Sequence, residues 1–247
     1  MAITIAISGK GGSGKTTLAA MIIRIIKHAS AQAVLAVDAD PNSCLGFTLG
    51  TEVIGDIAGL REEALTKEPS NVGMDRVHAF EYGLHQVITE AEGFDLLTMG
   101  QPEGPGCYCA ANNLLRRFLD NLSSQYGFVV MDNEAGMEHL SRRTTNSVDM
   151  LCIVAEPGPI GEITAQRIYD LAEKLPIDVK QIGIIWNKAD NIKELKSIES
   201  FGAIPYDKSI FDASMKGKNI FEMEMNSPAF AAVQKILEQK LNFNKTR

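Results

Sequence analysis

Two short segments carry most of the chemistry in this chain. The first, Gly9-Lys10-Gly11-Gly12-Ser13-Gly14-Lys15-Thr16, has the spacing G-x-x-x-x-G-K-[ST] and stands between a β-branched run and a stretch of helical period. Glycines at these positions let successive backbone N–H groups turn toward one anion, and the N-terminus of the following helix adds positive potential. That combination suits the phosphates of a nucleoside triphosphate. Lys15 is expected to reach the β- and γ-phosphates and Thr16 to offer its hydroxyl to Mg²⁺, with Gly11, Gly12, Ser13, Gly14 and Thr17 completing the cradle. The second segment is Gly104-Pro105-Gly106-Cys107-Tyr108-Cys109. Its two thiols stand just before a helical run from Asn113 to Leu122, where the positive end of the helix macrodipole favours thiolates, and thiolates bind soft or borderline metals. Two sulfurs fill half of a tetrahedral zinc or planar nickel shell, so each chain brings half a site and a symmetric dimer brings the rest.

Carboxylates stand where such a loop needs them. Val37-Asp38-Ala39-Asp40-Pro41 closes one apolar run and Val129-Val130-Met131-Asp132 closes another. Three carboxylates are thereby expected at the carboxyl edge of one sheet, the edge at which open α/β folds bind ligands. Asn187-Lys188-Ala189-Asp190 follows a further apolar run and spells N-K-x-D. A carboxylate suits guanine, because it accepts from both N1–H and the exocyclic amine, so Asp190 by itself speaks for GTP.

The elements that must hold these residues alternate. Short strand-like runs at Ile3 to Ser8, Ala33 to Val37, Leu96 to Met99, Phe128 to Met131, Met150 to Ala155, Ile182 to Trp186 and Gly202 to Ile204 are separated by helical stretches. The helices are Thr16 to His28, Asn113 to Leu122, Glu162 to Leu175, and a last one with Ser227 as N-cap and Pro228 at its first position. Phe230, Val233, Ile236, Leu237 and Leu241 share one face of that last helix. The alternation predicts an α/β fold with a doubly wound, mostly parallel sheet and helices on both faces. A single domain over residues 1–247 is expected, with about the last six residues a disordered tail. Thr51 to Gly93 and Ser209 to Asn226 show no clear period.

Composition narrows the partners. With 24 Lys+Arg against 31 Asp+Glu the net charge is −7, which argues against nucleic acid or anionic lipid as the main partner. No apolar run approaches the roughly 18 residues of a membrane span. Four cysteines without a secretory leader read as reduced thiols in a cytoplasmic protein. Cys152, inside an apolar strand, reads as a core residue; Cys44 stays unassigned, and His139 reads equally as structural or as a link between nucleotide and interface.

Lys10 fills a position that the loop spacing leaves free. With it the loop resembles the deviant Walker A class of NTPases, which includes the MinD, ParA, ArsA and nitrogenase iron-protein families. The resemblance implies a fold of the MinD and iron-protein type and an ATPase in which Lys10 crosses a dimer interface to the partner's nucleotide. It implies that Asp40 positions the attacking water, Asp38 supports the magnesium shell, and Asp132 is the Walker B acid. It also implies ATP, with Asn187 on the base beside the segment Ile204-Pro205-Tyr206-Asp207. Hydrolysis would then depend on association, since a cation inserted in trans is worth about 10³ to 10⁵ in rate.

Four segments taken together resemble the CooC/AcsF family of nickel-insertion ATPases: Gly9 to Thr17, Asp38 to Gly46, Met99 to Cys109, and Asn133 to Leu140. That resemblance implies a cytoplasmic homodimer that uses ATP and Mg²⁺ and binds Ni²⁺ or Zn²⁺ between protomers through Cys107 and Cys109. The implied client is carbon monoxide dehydrogenase or acetyl-CoA synthase. Two other readings share the ATPase. A ParA/MinD-type positioning protein needs a basic DNA face or an amphipathic membrane helix, and the last helix carries Lys235 and Lys240 beside Glu238. An iron-protein-like electron donor needs widely spaced cysteines rather than C-x-C.

Overall fold

Strand β1 (Ile3–Gly9) is apolar along both faces, and its last five residues are buried, as a strand covered by helices on both sides must be. Strands β2 (Val34–Ala39), β5 (Phe128–Asn133) and β7 (Met150–Ala155) are buried throughout. The computed structural model describes residues 2–66, 82–101, 125–134 and 147–241, with positions 119, 122 and 123. Within them lies an eight-stranded sheet in the order β10-β9-β7-β1-β5-β2-β4-β3. Here β3 is Ile88–Ala91, β4 Phe94–Thr98, β9 Ile182–Asn187 and β10 Glu199–Ile204. Every pairing is parallel except β3 with β4 at the edge, so the expected mostly parallel, doubly wound sheet is the observed one. β6 (Ser147–Val148) and β8 (Asp178–Val179) form a separate parallel pair.

Helices cover both faces. Ile5 and Ile7 point to one apolar layer and Ala6 to the other, as alternation along a strand requires. The first layer packs α1 (Lys15–Ala29), α2 (Leu45–Leu49) and α6 (Pro228–Leu241) on the sheet; the second packs α3 (Ile57–Thr66) and α4 (Pro159–Ala172). Helix α1 is buried almost all round, through Leu18 to Ile23, Ile25 and Ile26. Helix α6 follows its expected face: Phe230, Val233, Ile236 and Leu237 are buried, and the Ser227 hydroxyl accepts from Phe230 N at 3.4 Å as N-cap.

Several boundaries differ from the sequence expectation. α4 begins at Pro159 rather than Glu162, because Gly158-Pro159 supplies a turn and a proline at the first helical position. The stretch Thr51 to Gly93 contains α3 and the edge strand β3, and Ser209 to Asn226 lies over α5 (Lys208–Met215) and a 3-10 turn η1 (Ile220–Glu222). The expected helix from Asn113 to Leu122 lies outside the described residues except Leu119 and Leu122, both buried in the second layer. The expected tail, too, lies outside them. No helix among the described residues is long and apolar enough to cross a membrane.

Phe230 is 1% exposed and also receives the Arg24 guanidinium over its ring at 5.1 Å. Phe230→Ala should therefore lower the unfolding free energy by about 3 to 5 kcal/mol in urea titration, through the cavity it leaves.

Candidate nucleotide site

The loop after β1 is built from close approaches. A Cβ on Gly9 would meet the Val154 carbonyl at 2.4 Å, so β7 fixes the start of the loop against glycine alone. Gly12 and Gly14 sit at φ +79° and +95°, conformations that side chains rarely adopt. Ser13 N donates to Lys10 O at 3.1 Å and closes the turn. Helix α1 then starts at Lys15 with no side-chain cap, which leaves its first N–H groups open to an anion.

The two loop lysines diverge. Lys15 is 6% exposed and near enough to Asp132 to hold that carboxyl down electrostatically. Lys10 is exposed and lines a cavity of about 320 Å³ between the loop and the segment joining β7 to α4.

The sheet brings the expected carboxylates together at its carboxyl edge. Asp132 on β5 stands opposite Asp38 on β2 and Ile7 on β1. Both carboxyls are buried, and burial pushes them up: Asp38 to about 7 and Asp132 to about 6, the latter against the lowering effect of the Thr16 hydroxyl and Lys15. Asp38 is well served by backbone donors, accepting from Leu45 N at 2.8 Å and Asp40 N at 3.3 Å. Asp132 is not. Thr16 comes close, yet neither Asp132 oxygen has a donor at hydrogen-bonding geometry, and the buried Ser13 hydroxyl is likewise unpartnered. A buried carboxylate left this way costs on the order of 1 to 3 kcal/mol or more, and a hydrated divalent cation beside it would satisfy both oxygens. Thr16 and Asp132 thus fit a magnesium shell.

Asp40 lies at the start of the next loop, its Oδ1 accepting from Asn42 N at 2.9 Å and Asn42 Nδ2 at 2.8 Å. On the other side, Asn187 ends β9 and its Nδ2 donates to Ser13 O at 2.7 Å. Asp190 is exposed, Pro205 is half-buried just after β10, and Asp207 caps α5 by accepting from Ser209 N and Ile210 N. The structure therefore brings the loop, Asp38, Asp132 and Asn187 into one neighbourhood. Cys107, Cys109 and His139 lie outside the described residues. Among the described residues no group of three or more His, Cys, Asp or Glu side chains is arranged to hold a metal. Cys152 is fully buried and its thiol pushed well up by burial, in keeping with a core role; Cys44 is exposed, and desolvation with the Asp38, Asp40 and Asp132 charges raises it.

Two residues of segments already singled out make contacts that the sequence reading did not assign. Asn133, fully buried, donates to Ile7 O at 3.2 Å and ties the end of β5 to β1. Lys188 reaches across to Glu156 at 2.6 Å and braces the β7–α4 segment. Asn133 ends the apolar run of β5 and Lys188 stands inside N-K-x-D, but no spacing connects either to its partner across the chain.

A glycine loop between β1 and α1, a buried lysine, and an acid on the adjacent strand define a P-loop nucleoside triphosphatase. The family described as the CobQ/CobB/MinD/ParA nucleotide binding domain matches residues 4–220, and the chain belongs to that family. It is an ATP-binding ATPase. The chain is 37% identical, over 96% of its length and 98% of the relative's, to an uncharacterised ATP-binding protein of Methanocaldococcus jannaschii. It is 32% identical, over 91% and 90%, to the carbon monoxide dehydrogenase accessory protein CooC of Rhodospirillum rubrum. In fold it is similar to the septum site-determining protein MinD of Pyrococcus horikoshii, with a TM-score of 0.66 at 20% identity over 97% and 96% of the two chains.

Asp38 and Asp132 bind protons more tightly folded than unfolded, because both lie above the ordinary value of 3.8. Their share of stability is thus present in acid and lost as pH rises from about 4 to about 7. Calorimetry of the nucleotide-free protein should show falling stability over that window. Asp132→Asn should flatten the slope, melt above wild type near pH 8 and abolish ATP hydrolysis; an unchanged slope refutes the assignment.

Proposed function

We propose that this ATPase is a metallochaperone that associates on nucleotide and loads nickel into a carbon monoxide dehydrogenase or acetyl-CoA synthase. The observation that carries the reading is the likeness to the Rhodospirillum rubrum accessory protein over nine tenths of both chains, joined to a C-x-C pair in this sequence. Cys107 and Cys109 of two copies supply four sulfurs to one Ni²⁺ or Zn²⁺, the cargo, across a two-fold axis. In this reading Lys15 holds the β- and γ-phosphates of its own chain, Lys10 reaches the partner's nucleotide, and Asp40 orients the attacking water. Bound Mg²⁺ neutralises charge on the phosphates, with Thr16, Asp132 and Asp38 forming its surroundings. The exposure of Lys10, which makes no ion pair among the described residues, supports a role outside its own chain.

Association closes both sites together, and hydrolysis relaxes the metal geometry so that the cargo passes to its client. Such coupling is reciprocal, so metal tightens the dimer as the dimer tightens metal.

A positioning ATPase is the second reading. It is favoured by 32% identity, over 67% of this chain, to the maintenance of carboxysome distribution protein A of Synechococcus elongatus. Cosedimentation with DNA or anionic liposomes in MgATP separates the two, and the metallochaperone reading expects none.

Metal analysis with size-exclusion chromatography tests the main reading. Wild type with a non-hydrolysable ATP analogue should elute as a dimer with about one Ni²⁺ per pair. Cys107→Ala should lose the nickel and keep ATP binding; nickel unchanged in that variant overturns the cysteine assignment. Lys10→Ala should keep ATP binding but lose about 10³-fold or more in turnover.

A further inference from the structure

We propose that α5 and α2 present a docking strip for a partner protein whose surface sets acidic side chains around an apolar patch. That partner is the client, whose existence rests on the reading above. Helix α5 buries none of its residues, whereas α6 keeps its apolar face inside. Ile210 leans on the first apolar layer, but Phe211 and Met215 stay 50% and 73% exposed, and at four residues apart they share one helical face. The helix does not depend on burying them. Asp207 caps it, and Lys208 pairs with Asp212 on the next turn at 2.5 Å. An apolar pair is thereby held at the surface by a helix formed through local contacts.

The strip continues past both ends of the helix. The Tyr206 ring stands 6.2 Å from that of Phe211. Gly217 lies against Phe47 of α2, which is 69% exposed, so that a Cβ on the glycine would stand 4.0 Å from Phe47 Cζ. Three aromatic rings and a methionine are thus exposed together. Contiguous apolar surface of this kind marks an interaction site, and aromatic residues and Met are enriched at interfaces. Leu45, two residues before Phe47, donates its amide to Asp38 Oδ2 at 2.8 Å, so an occupant of the strip bears on an element anchored to the nucleotide site.

Charge selects the occupant. Lys216 and Lys218 follow Met215, are exposed, and make no ion pair among the described residues. One end of the strip is therefore basic in a chain of net charge −7, and acidic side chains on a partner complement it. A second copy laid strip to strip across a two-fold axis would set these lysines against their own equivalents. An anionic bilayer is an extended surface that meets the repulsive field of the whole chain, whereas a protein partner has to match only the strip.

The experiment measures, by biolayer interferometry, binding of nickel-free carbon monoxide dehydrogenase and acetyl-CoA synthase to the full chain with Mg²⁺ and a non-hydrolysable ATP analogue. Phe211→Ser combined with Met215→Ser should weaken the wild-type affinity on the order of tenfold or more, because a few central anchors carry most of an interface's energy. Lys216→Glu combined with Lys218→Glu should slow association and reverse its salt dependence. Both variants should keep the wild-type melting temperature and nucleotide affinity, since none of the four side chains is buried. A client that binds wild type and both variants alike overturns the strip and leaves the metallochaperone reading standing. If wild type binds neither client, the client reading fails, and a random-peptide display library panned on the full chain decides the strip. Acidic peptides with apolar anchors that the serine variant no longer retains uphold it; basic peptides, or no enrichment, overturn it. Capture of phosphatidylserine–phosphatidylcholine vesicles that the serine variant loses assigns the strip to a membrane and overturns the proposal. So does a concentration-dependent dimer that the same variant abolishes, which assigns it to a second copy.

Discussion

A carboxylate buried without a donor is the constraint around which this molecule is arranged. Asp132 sits at the end of a fully buried strand, and only the central position of β5 between β1 and β2 places it beside both Lys15 and Asp38. Two apolar layers have to cover the sheet for that burial to exist, and their packing offsets what the unsatisfied oxygens cost. Stability is spent at one point so that a cation and a nucleotide find a preorganised, dry site. The same trade explains Ser13, whose hydroxyl is buried and unpartnered within the loop.

From this edge a chain of contacts runs through the first layer. Asp38 takes the first amide of α2 at Leu45, and α2 ends at Gly50, φ +71°, packed so tightly on Asn219 that a Cβ would meet its Nδ2 at 2.3 Å. Asn219 caps η1 in a reciprocal capping box with Glu222. Arg24 of α1 donates to Ile220 O and lies over the rings of Phe221 and Phe230. Helix α1 begins in the phosphate loop, so the circuit that starts at Asp38 returns to the nucleotide site. Each contact of this circuit joins two elements, and close packing leaves few voids in which one of them could shift without its neighbours.

The residues legible in the sequence are those whose signal is local. Glycine and lysine spacing marks the loop, and an Asp that ends an apolar run marks Asp38 and Asp132, because strand and motif lie within a few residues of each other. Contacts made across the chain left no such mark. The edge strand β3 exists only because β4 pairs with it, and α5 has no buried residue, so neither shows a clean period. Asp207, read as part of a base-binding segment, is the N-cap of α5, a role that becomes visible once Lys208 to Met215 is seen to be helical. Asn187 shows the limit most clearly. Its four-residue motif marks the position, but its hydrogen bond to the Ser13 carbonyl, far back in the chain, follows from no spacing rule.

The divergence of the two loop lysines bears on how the proposed cycle is driven. Lys15 is buried beside Asp132, whereas Lys10 is exposed, the arrangement that the proposed cycle uses by giving Lys15 to its own chain's nucleotide and Lys10 to the partner's. A C-x-C pair has the same incompleteness, since two sulfurs do not close a shell. In a symmetric closed dimer both deficits have one solution, a two-fold axis that pairs each residue with its equivalent contact. Each chain carries a net charge of −7, so bulk electrostatics opposes that closure. In the proposed dimer the attraction would come from charges set at the interface, a lysine of one chain against the phosphates held by the other and a metal cation against thiolates from both. Closure driven in this way would be conditional on both ligands, because the net negative charge of each chain opposes association when either is missing.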